Sequence, residues 1–168
     1  LQPDIVGGHS LGEYSALVAA DVLDFQDAVL LVHKRGAFMQ EAVPVGEGGM
    51  AAIIGLDREK IVAACEQASR EVSAVQAVNF NCPGQIVIAG TTKGVERAVE
   101  LLQAAGAKKC VILPVSAPFH STLMEPAAKK LAVELDKVEI RDAKIPVVAN
   151  VTGTIVTKAA EIKDSLVK

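Results

Sequence analysis

The feature that most restricts the fold of this chain is a serine pentapeptide between two segments of different periodicity. Residues 8–12 read Gly-His-Ser-Leu-Gly, and a short apolar run at residues 5–6 precedes them. After the pentapeptide, apolar side chains recur at helical spacing from Tyr14 onward. A strand, a sharp turn and a helix in that order are typical of an α/β fold in which the turn is exposed. The sequence therefore predicts an α/β domain with Ser10 on such a turn.

Residues 48–115 carry a second pattern, which predicts a smaller subdomain. Strand-like and amphipathic helical segments follow one another there in the order β-α-β-β-α-β. The predicted strands are 50–56, 72–78, 85–89 and 109–115, and the predicted helices are 57–69 and 92–105. This order is typical of the ferredoxin-like unit. We therefore predict an α/β core made of residues 1–47 and 116–168, with residues 48–115 inserted; one continuous α/β sheet is the alternative.

Composition excludes several classes of function. The 168 residues include 17 Lys and Arg against 20 Asp and Glu, with four Phe, one Tyr and no Trp. Such a chain has neither the basic surface nor the stacking rings that nucleic-acid binding needs. No apolar run approaches the roughly 20 residues of a membrane helix. We therefore expect a soluble domain with no nucleic-acid or membrane partner.

Cysteine usage indicates a reducing compartment. Cys65, Cys82 and Cys110 are an odd number with no CxxC pair, which argues against a disulfide framework or a zinc site. We therefore expect a cytoplasmic protein without a metal. Residues 150–152 read Asn-Val-Thr, which matches a glycosylation acceptor. Because nothing else indicates secretion, we attribute that match to chance.

Ser10 is the candidate nucleophile. On a strand-to-helix turn its hydroxyl faces solvent, and the N–H of Leu11 is placed to bind a developing oxyanion. Gly8 and Gly12 are expected to remove side chains that would clash where neighbouring segments close on the turn. The alternative is that Ser10 only caps the helix N-terminus.

A serine nucleophile needs a base, and the chain has three histidines. The ring of His9 is expected to point away from the neighbouring Ser10, and His33 lies in a charged stretch of a predicted helix. His120 follows Pro118 in a loop just before a helix, where a stiffened segment can hold an imidazole in place. His120 is therefore the candidate base, and a histidine satisfied by local hydrogen bonds at a helix start is the alternative.

Arg35 lies on a helix predicted over residues 25–42. The planar fork of a guanidinium fits a carboxylate with two parallel hydrogen bonds. An arginine that faces the pocket would therefore select an acyl group ending in a carboxylate. Spacing alone favours the other interpretation, a surface arginine.

Five separated blocks of the sequence carry a resemblance that spans nearly the whole chain. They are residues 8–14, Arg35-Gly36 with Met39-Gln40, Asn79 with residues 81–85, residues 118–121 with Met124, and residues 146–153. In this order they resemble the malonyl-CoA:acyl carrier protein transacylase family.

The resemblance implies a hydrolase-like parallel-sheet core with a ferredoxin-like insert, and a place in fatty acid biosynthesis. It also implies that Ser10 takes a malonyl group from coenzyme A as an ester, with His120 as general base and then acid. The pantetheine thiol of acyl carrier protein would then take the group, and Arg35 matches the arginine that holds the malonyl carboxylate; no cofactor is implied.

The resemblance also implies which residues contact the substrate. Phe119 matches a bulky aromatic residue that goes with malonyl rather than methyl-branched groups, because it crowds the α-carbon. Asn79 and Asn81 match a loop near the site, although simple turn residues are the alternative. Met39 and Met124 lie in the matching blocks, and we expect them to line the substrate site.

Two segments of the family have no counterpart in these residues. One supplies an upstream glutamine N–H to the oxyanion hole, and the other supplies a downstream glutamine carbonyl that orients the histidine. We therefore expect the chain to be part of a longer, monomeric domain.

Two other functions stay open at this point. A serine thioesterase or lipase-like hydrolase would need a carboxylate behind the histidine, but Asp57 and Glu66 lie at or in predicted helices. A fragment that binds acyl carrier protein without turning it over would need a basic patch, for which residues 108–109 and 129–130 are candidates.

Overall fold

The computed structural model describes residues 2–115 and 117–168. Over these residues the elements, in chain order, are β1 (Val6–Gly7), α1 (Leu11–Ala19), α2 (Phe25–Ala42), β2 (Gly48–Ile54), α3 (Arg58–Glu71), β3 (Val75–Cys82), β4 (Gln85–Thr91), α4 (Thr92–Ala104), β5 (Lys109–Ile112), α5 (Glu125–Leu135), β6 (Val147–Val148), β7 (Ile155–Val156) and α6 (Ala159–Val167). A 3₁₀ turn, Thr122–Met124, precedes α5. The α/β class predicted from the sequence is confirmed. The chain divides into two compact units, Leu1–Phe38 with Ala127–Lys168, and Met39–Pro126.

The first unit is built on a small sheet with the order β1-β6-β7. β6 pairs in parallel with β1 and antiparallel with β7. The helices bury one apolar face each, since Leu17 of α1, Leu31 of α2, Leu135 of α5 and Ile162 of α6 belong to one buried cluster. β7 was not predicted, because a strand of two residues is too short to show a periodicity.

The second unit is a four-stranded antiparallel sheet with the order β3-β4-β2-β5. Successive side chains of a strand point to opposite faces. Ile53 of β2 accordingly packs with Ile61 of α3 and Leu102 of α4 in one cluster. Met50, on the other face of the strand, belongs to a second cluster against which Phe119 packs. The elements of this unit therefore follow the order β-α-β-β-α-β, with two helices on one face of the sheet.

The position of β3 corrects one prediction about the site. The strand predicted at residues 72–78 lies further along the chain, at Val75–Cys82. Asn79 and Asn81 are consequently strand residues rather than loop residues, and Asn79 pairs with Val87 of β4. The strand shows register shifts between Ala77 and Asn79 and between Phe80 and Cys82, and its pairing with β4 continues past them to Cys82, just before the turn at residues 83–84. Backbone pairing with β4 overrides the turn propensity of asparagine here.

Candidate active site

The serine pentapeptide forms a sharp turn between β1 and α1. Ser10 has φ 54° and ψ −108°, a conformation that costs a non-glycine residue about 1–3 kcal/mol. The turn is closed by hydrogen bonds from Gly12 N–H to His9 C=O (2.9 Å) and from Glu13 N–H to Ser10 C=O (3.1 Å). The side chain of Ser10 makes no capping hydrogen bond to the helix. The interpretation of Ser10 as a simple N-cap is therefore wrong, and its hydroxyl is available for other contacts.

The two glycines of the pentapeptide have different roles. A Cβ added to Gly8 would lie 2.1 Å from the carbonyl atoms of Gly12 and 2.6 Å from the nitrogen of Glu13. Those atoms belong to the backbone, so the first turn of α1 would have to move. Apart from its chain neighbours and the adjacent backbone of α1, a Cβ added to Gly12 would meet no atom of residues 2–115 or 117–168 within 4 Å. The prediction that a side chain would clash with a neighbouring segment is thus correct at Gly8 and wrong at Gly12.

This difference gives a paired prediction. We expect Gly8→Ala to lower the free energy of unfolding by about 1–3 kcal/mol or more, because it forces backbone atoms apart. Gly12→Ala should leave stability equal or slightly higher, since alanine is about 1 kcal/mol better than glycine within a helix. Chemical denaturation of both variants measures the difference. Equal destabilisation of the two variants would contradict the packing described for Gly8.

Arg35 of α2 reaches the hydroxyl of Ser10. Its Nη2 donates a hydrogen bond of 2.9 Å to Ser10 Oγ. Its guanidinium carbon lies 5.9 Å from the centre of the Tyr14 ring, within the range of a cation–π contact. Tyr14 is itself buried, and this burial raises the pKa of its phenol to about 12. Arg35 is therefore not the freely solvated surface residue that spacing alone favoured.

Two further residues of the first unit contact the turn. Asn150 Oδ1 accepts a hydrogen bond of 3.3 Å from the backbone N–H of Ser10. Glu13 Oε1 accepts one of 3.1 Å from the backbone N–H of Asn150. Burial raises the pKa of the Glu13 carboxyl, against the opposing effects of the Asn150 N–H and of the Arg35 charge. Glu13 is one of two buried polar side chains among the described residues, the other being Ser121.

The sequence patterns do not predict the contact of Asn150, which lies in a glycosylation match attributed to chance and in the last of the resembling blocks. The topology provides the reason for the contact. β1 and β6 are neighbouring parallel strands, so the segments after Gly7 and after Val148 emerge at the same edge of the sheet. The available signal was the block at residues 146–153, where the resemblance to the family ended.

The remaining sequence-based candidates of the first unit are exposed. His9 is exposed beside the turn, and His33 is exposed on α2. Leu11, whose N–H was assigned to the oxyanion, is the first residue of α1 and is 52% exposed. An N–H in the first turn of a helix has no carbonyl partner four residues back in that helix. The position of Leu11 is therefore compatible with the predicted role.

His120 belongs to the second unit, on a tight and unusual loop. It is exposed and has φ 63°, a left-handed conformation that is uncommon outside glycine. The loop is held at both sides: Phe119 N–H donates to Ala117 C=O (2.9 Å), and the Ser121 hydroxyl donates to Pro118 C=O (2.7 Å). A hydrogen bond of 2.8 Å from Thr122 N–H to Gln76 Oε1 ties the following residues to β3. The backbone at His120 is thus strained and firmly held, as it is at Ser10.

The other predicted substrate residues also lie in the second unit. Met39 and Met124 are buried, Phe119 and Asn79 are half-buried, and Asn81 is exposed. The structure thus brings Ser10 and Arg35 together, with Glu13, Tyr14 and Asn150 around them. The predicted pairing of Ser10 with His120 joins the two units and stays a prediction.

Neither a metal centre nor a membrane-spanning helix is found in the parts of the chain that the structure describes. No three His, Cys, Asp or Glu residues within them are grouped so that they could hold an ion. No helix formed by them is long and apolar enough to cross a bilayer. The cysteines are free thiols, of which Cys65 is buried and Cys82 exposed.

A serine on a strained turn beside a guanidinium, in an α/β fold, is an arrangement compatible with the class of acyl-transferring proteins. Residues 1–163 match the family described as the acyl transferase domain, and the chain belongs to that family. Within it, the chain is 55% identical, over its whole length, to the malonyl CoA-acyl carrier protein transacylase of Bacillus subtilis. The resemblance to the malonyl-CoA:acyl carrier protein transacylase family found in the sequence is confirmed. The chain spans 53% of that relative, so it covers about half the length of the curated proteins it matches.

Solved structures agree with the sequence comparison. The acyl-carrier-protein S-malonyltransferase of Burkholderia pseudomallei matches 99% of the chain with a TM-score of 0.96 at 54% identity, over 54% of its own length. A malonyl-transacylase in complex with a type II PKS acyl-carrier protein matches 98% of the chain with a TM-score of 0.95 at 52% identity, over 53% of its length.

Proposed function

We propose that the chain carries the serine-containing part of an enzyme that moves a malonyl group from coenzyme A to the pantetheine thiol of acyl carrier protein, in fatty acid biosynthesis. The observation that carries the proposal is the 2.9 Å hydrogen bond from Arg35 Nη2 to Ser10 Oγ. It puts a group that binds carboxylates within reach of a half-buried serine on a strained turn. A malonyl thioester has its carboxylate and its reacting carbonyl close together, which suits such a pair.

In the first half of the proposed reaction, His120 accepts the proton of the Ser10 hydroxyl as Oγ attacks the thioester carbonyl. The Leu11 N–H stabilises the oxyanion that develops on the carbonyl oxygen. The carbon–sulfur bond then breaks, and coenzyme A leaves as a thiol with the proton that His120 returns. The malonyl group remains as an ester on Ser10. In the second half, the pantetheine thiol gives its proton to His120 and its sulfur attacks the ester carbonyl. The bond from that carbon to Ser10 Oγ breaks, His120 returns the proton to Oγ, and the malonyl group leaves on the thiol.

Arg35 is proposed to recognise the free carboxylate of the malonyl group. Its planar fork can make two parallel hydrogen bonds to that carboxylate, which an acetyl or longer alkyl group does not offer. We propose that Phe119 excludes branched acyl groups by crowding the α-carbon. Met39, Met124, Asn79 and Asn81 are proposed to contact the substrate. Of these, Met39 and Met124 are buried, as apolar lining residues would be.

We further propose a hydrolase-like core, residues 1–47 and 116–168, that carries residues 48–115 as a ferredoxin-like insert. The antiparallel sheet order β3-β4-β2-β5 and the two helices on one of its faces support the insert. Because the chain spans 53% of its curated relative, we propose that it acts within a longer domain. We also propose that the protein is a cytoplasmic monomer that needs no cofactor. The substrates are malonyl-CoA and acyl carrier protein.

The experiment that tests the function follows the mass of the protein through both half-reactions. The 168-residue chain and a version extended at both ends are each incubated with malonyl-CoA, and peptide mapping locates any adduct. Acyl carrier protein bearing the pantetheine thiol is then added. We expect a malonyl adduct on Ser10 in at least the extended version, and its transfer to the thiol.

The other functions predict different results. A thioesterase or lipase-like hydrolase would lose the adduct to water at the same rate with or without acyl carrier protein. A protein that only binds acyl carrier protein would form no adduct in either version. Either result would overturn the proposed transfer. Initial rates should also follow ping-pong kinetics, because an acyl-enzyme separates the two half-reactions.

A further inference from the structure

We propose that Asn150 and Glu13 are positioning residues that hold the Ser10 turn in its reactive conformation and keep the serine hydroxyl out of the helix cap. The proposal rests on the proposed role of Ser10 as nucleophile. It is carried by two hydrogen bonds in series, from Ser10 N–H to Asn150 Oδ1 (3.3 Å) and from Asn150 N–H to Glu13 Oε1 (3.1 Å).

The first argument comes from the local sequence. Ser10 and Glu13 have the Ser-x-x-Glu spacing of a capping box. In that motif the serine hydroxyl accepts the N–H of the glutamate, and the glutamate side chain accepts the N–H of the serine. Here the Ser10 side chain makes no cap bond, and the N–H of Glu13 bonds to the carbonyl of Ser10 at 3.1 Å. The capping box is therefore opened, and Asn150 takes the place of the glutamate on the Ser10 N–H.

The consequence is chemical. In a closed capping box the Ser10 hydroxyl would be oriented toward the helix N-terminus and would be unavailable to a substrate. In the opened arrangement the hydroxyl contacts Arg35 instead, at 2.9 Å from Nη2. Because the Ser10 C=O accepts the Glu13 N–H and Asn150 accepts the Ser10 N–H, the turn does not need the hydroxyl for either hydrogen bond. The strained φ of 54° can then be retained.

The loop that carries Asn150 is itself well held. It connects β6 to β7, and Ala149 N–H donates to Thr154 C=O at 2.9 Å while Gly153 N–H donates to Ala149 C=O at 2.8 Å. A hydrogen bond of 2.7 Å joins the hydroxyls of Thr152 and Thr154. Asn150 is therefore presented from a closed turn rather than from a free loop. A side chain on such a turn can fix its partner within a few tenths of an ångström.

Glu13 completes the arrangement from the other side. Its side chain is only 6% exposed, and burying a carboxylate is costly unless it is hydrogen-bonded or paired. The Asn150 N–H provides a hydrogen bond, and the positive charge of Arg35 acts on the same carboxylate. Glu13 thus links the Asn150 loop to the first turn of α1 by a hydrogen bond, and the Arg35 charge acts on its carboxylate. It acts on Ser10 through Asn150, so the effects of the two residues should not add.

The test measures the reactivity of Ser10 with diisopropyl fluorophosphate. This reagent phosphorylates activated serines and carries no carboxylate, so recognition by Arg35 does not enter the rate. It is applied to the form of the chain that acquires the malonyl adduct described above. We expect Asn150→Ala and Glu13→Ala each to slow labelling by about 10- to 100-fold, the effect of a small displacement of a reacting group. The double variant should be no slower than the slower single variant.

Matched variants separate positioning from general damage. Glu13→Gln keeps an acceptor oxygen for the Asn150 N–H, so its labelling rate should stay close to that of the unsubstituted protein. Asn150→Ser keeps a polar side chain at this exposed turn, but the side chain ends one bond too short, so labelling should be slow. Val151→Ala shortens an exposed side chain of the same loop, keeps the hydrogen bonds described for that loop and should label normally. In malonyl transfer, the Asn150 variants should lower kcat and kcat/KM by the same factor, with KM unchanged.

Normal labelling of Asn150→Ala or Asn150→Ser would overturn the inference and leave the proposed function intact. So would labelling of Glu13→Gln that is as slow as that of Glu13→Ala, or multiplicative effects in the double variant. An unsubstituted protein in which Ser10 takes neither the malonyl group nor the phosphoryl group would overturn the inference together with the nucleophile on which it rests. Thermal unfolding followed by circular dichroism confirms that each variant compared is folded.

Discussion

Replacement of Ser10 by alanine is expected to abolish the malonyl adduct and to reduce transfer to acyl carrier protein to the background rate. The reason is that the proposed intermediate is an ester of Ser10 Oγ, and no other hydroxyl replaces it on the strained turn. The loss should be in the rate and not in folding, because the side chain of Ser10 makes no cap bond to the helix. Intact mass after incubation with malonyl-CoA and the initial rate of transfer measure the two effects.

Ser15 offers a matched control for this experiment. It is an exposed serine within α1, just over one helical turn beyond Ser10. Ser15→Ala therefore makes the same chemical change nearby on the same helix. We expect Ser15→Ala to form the adduct at the unsubstituted rate. A Ser10→Ala variant that still acquires a malonyl group, or that retains transfer, would show that another residue is the nucleophile.

The second large effect is expected from Arg35→Ala, in the choice between acyl groups. Hydrogen bonds to a charged group contribute about 1.5–3 kcal/mol, so loss of the guanidinium should slow malonyl transfer by roughly 10- to 100-fold. Transfer of an acetyl group, which has no carboxylate to bind, should change much less. The measurement is the ratio of kcat/KM for malonyl-CoA to that for acetyl-CoA. We expect this ratio to fall towards one, with Arg35→Lys in between because a lysine cannot make the paired contact.

The neighbouring Lys34 provides the control for charge. It carries the same formal charge as Arg35, but its Nζ bonds to Glu134 Oε2 on α5. Lys34→Ala removes one positive charge from the same helix without touching Ser10, so the ratio should stay at the unsubstituted value. If Arg35→Ala slowed malonyl and acetyl transfer equally, the arginine would support the serine itself rather than select the carboxylate. The substrate assignment would then have to be withdrawn.

Much of the fold follows from local patterns in the sequence. α2 spans residues 25–42 as predicted, because an amphipathic run is followed by a proline and a glycine, residues that commonly end a helix. The order of strands and helices from β2 to β5 also agrees with the pattern of apolar residues. The ends of the strands depend more on the neighbouring strands with which they pair. β3 reaches Cys82 because β4 pairs with it, and that pairing brings Asn79 and Asn81 into the strand.

The sequence by itself determined the turn and its nucleophile candidate. An apolar run, a Gly-x-Ser-x-Gly pentapeptide and a helical pattern are contiguous, so their consequence for Ser10 is local: a strained φ that places the serine at the turn before α1. Only the tertiary structure decided what surrounds that serine. Arg35 is 25 residues away and Asn150 is 140 residues away along the chain, and periodicity carries no information about such distances. The packing of α2 and the parallel pairing of β1 with β6 bring both residues to the turn, because neighbouring parallel strands end at the same edge of a sheet.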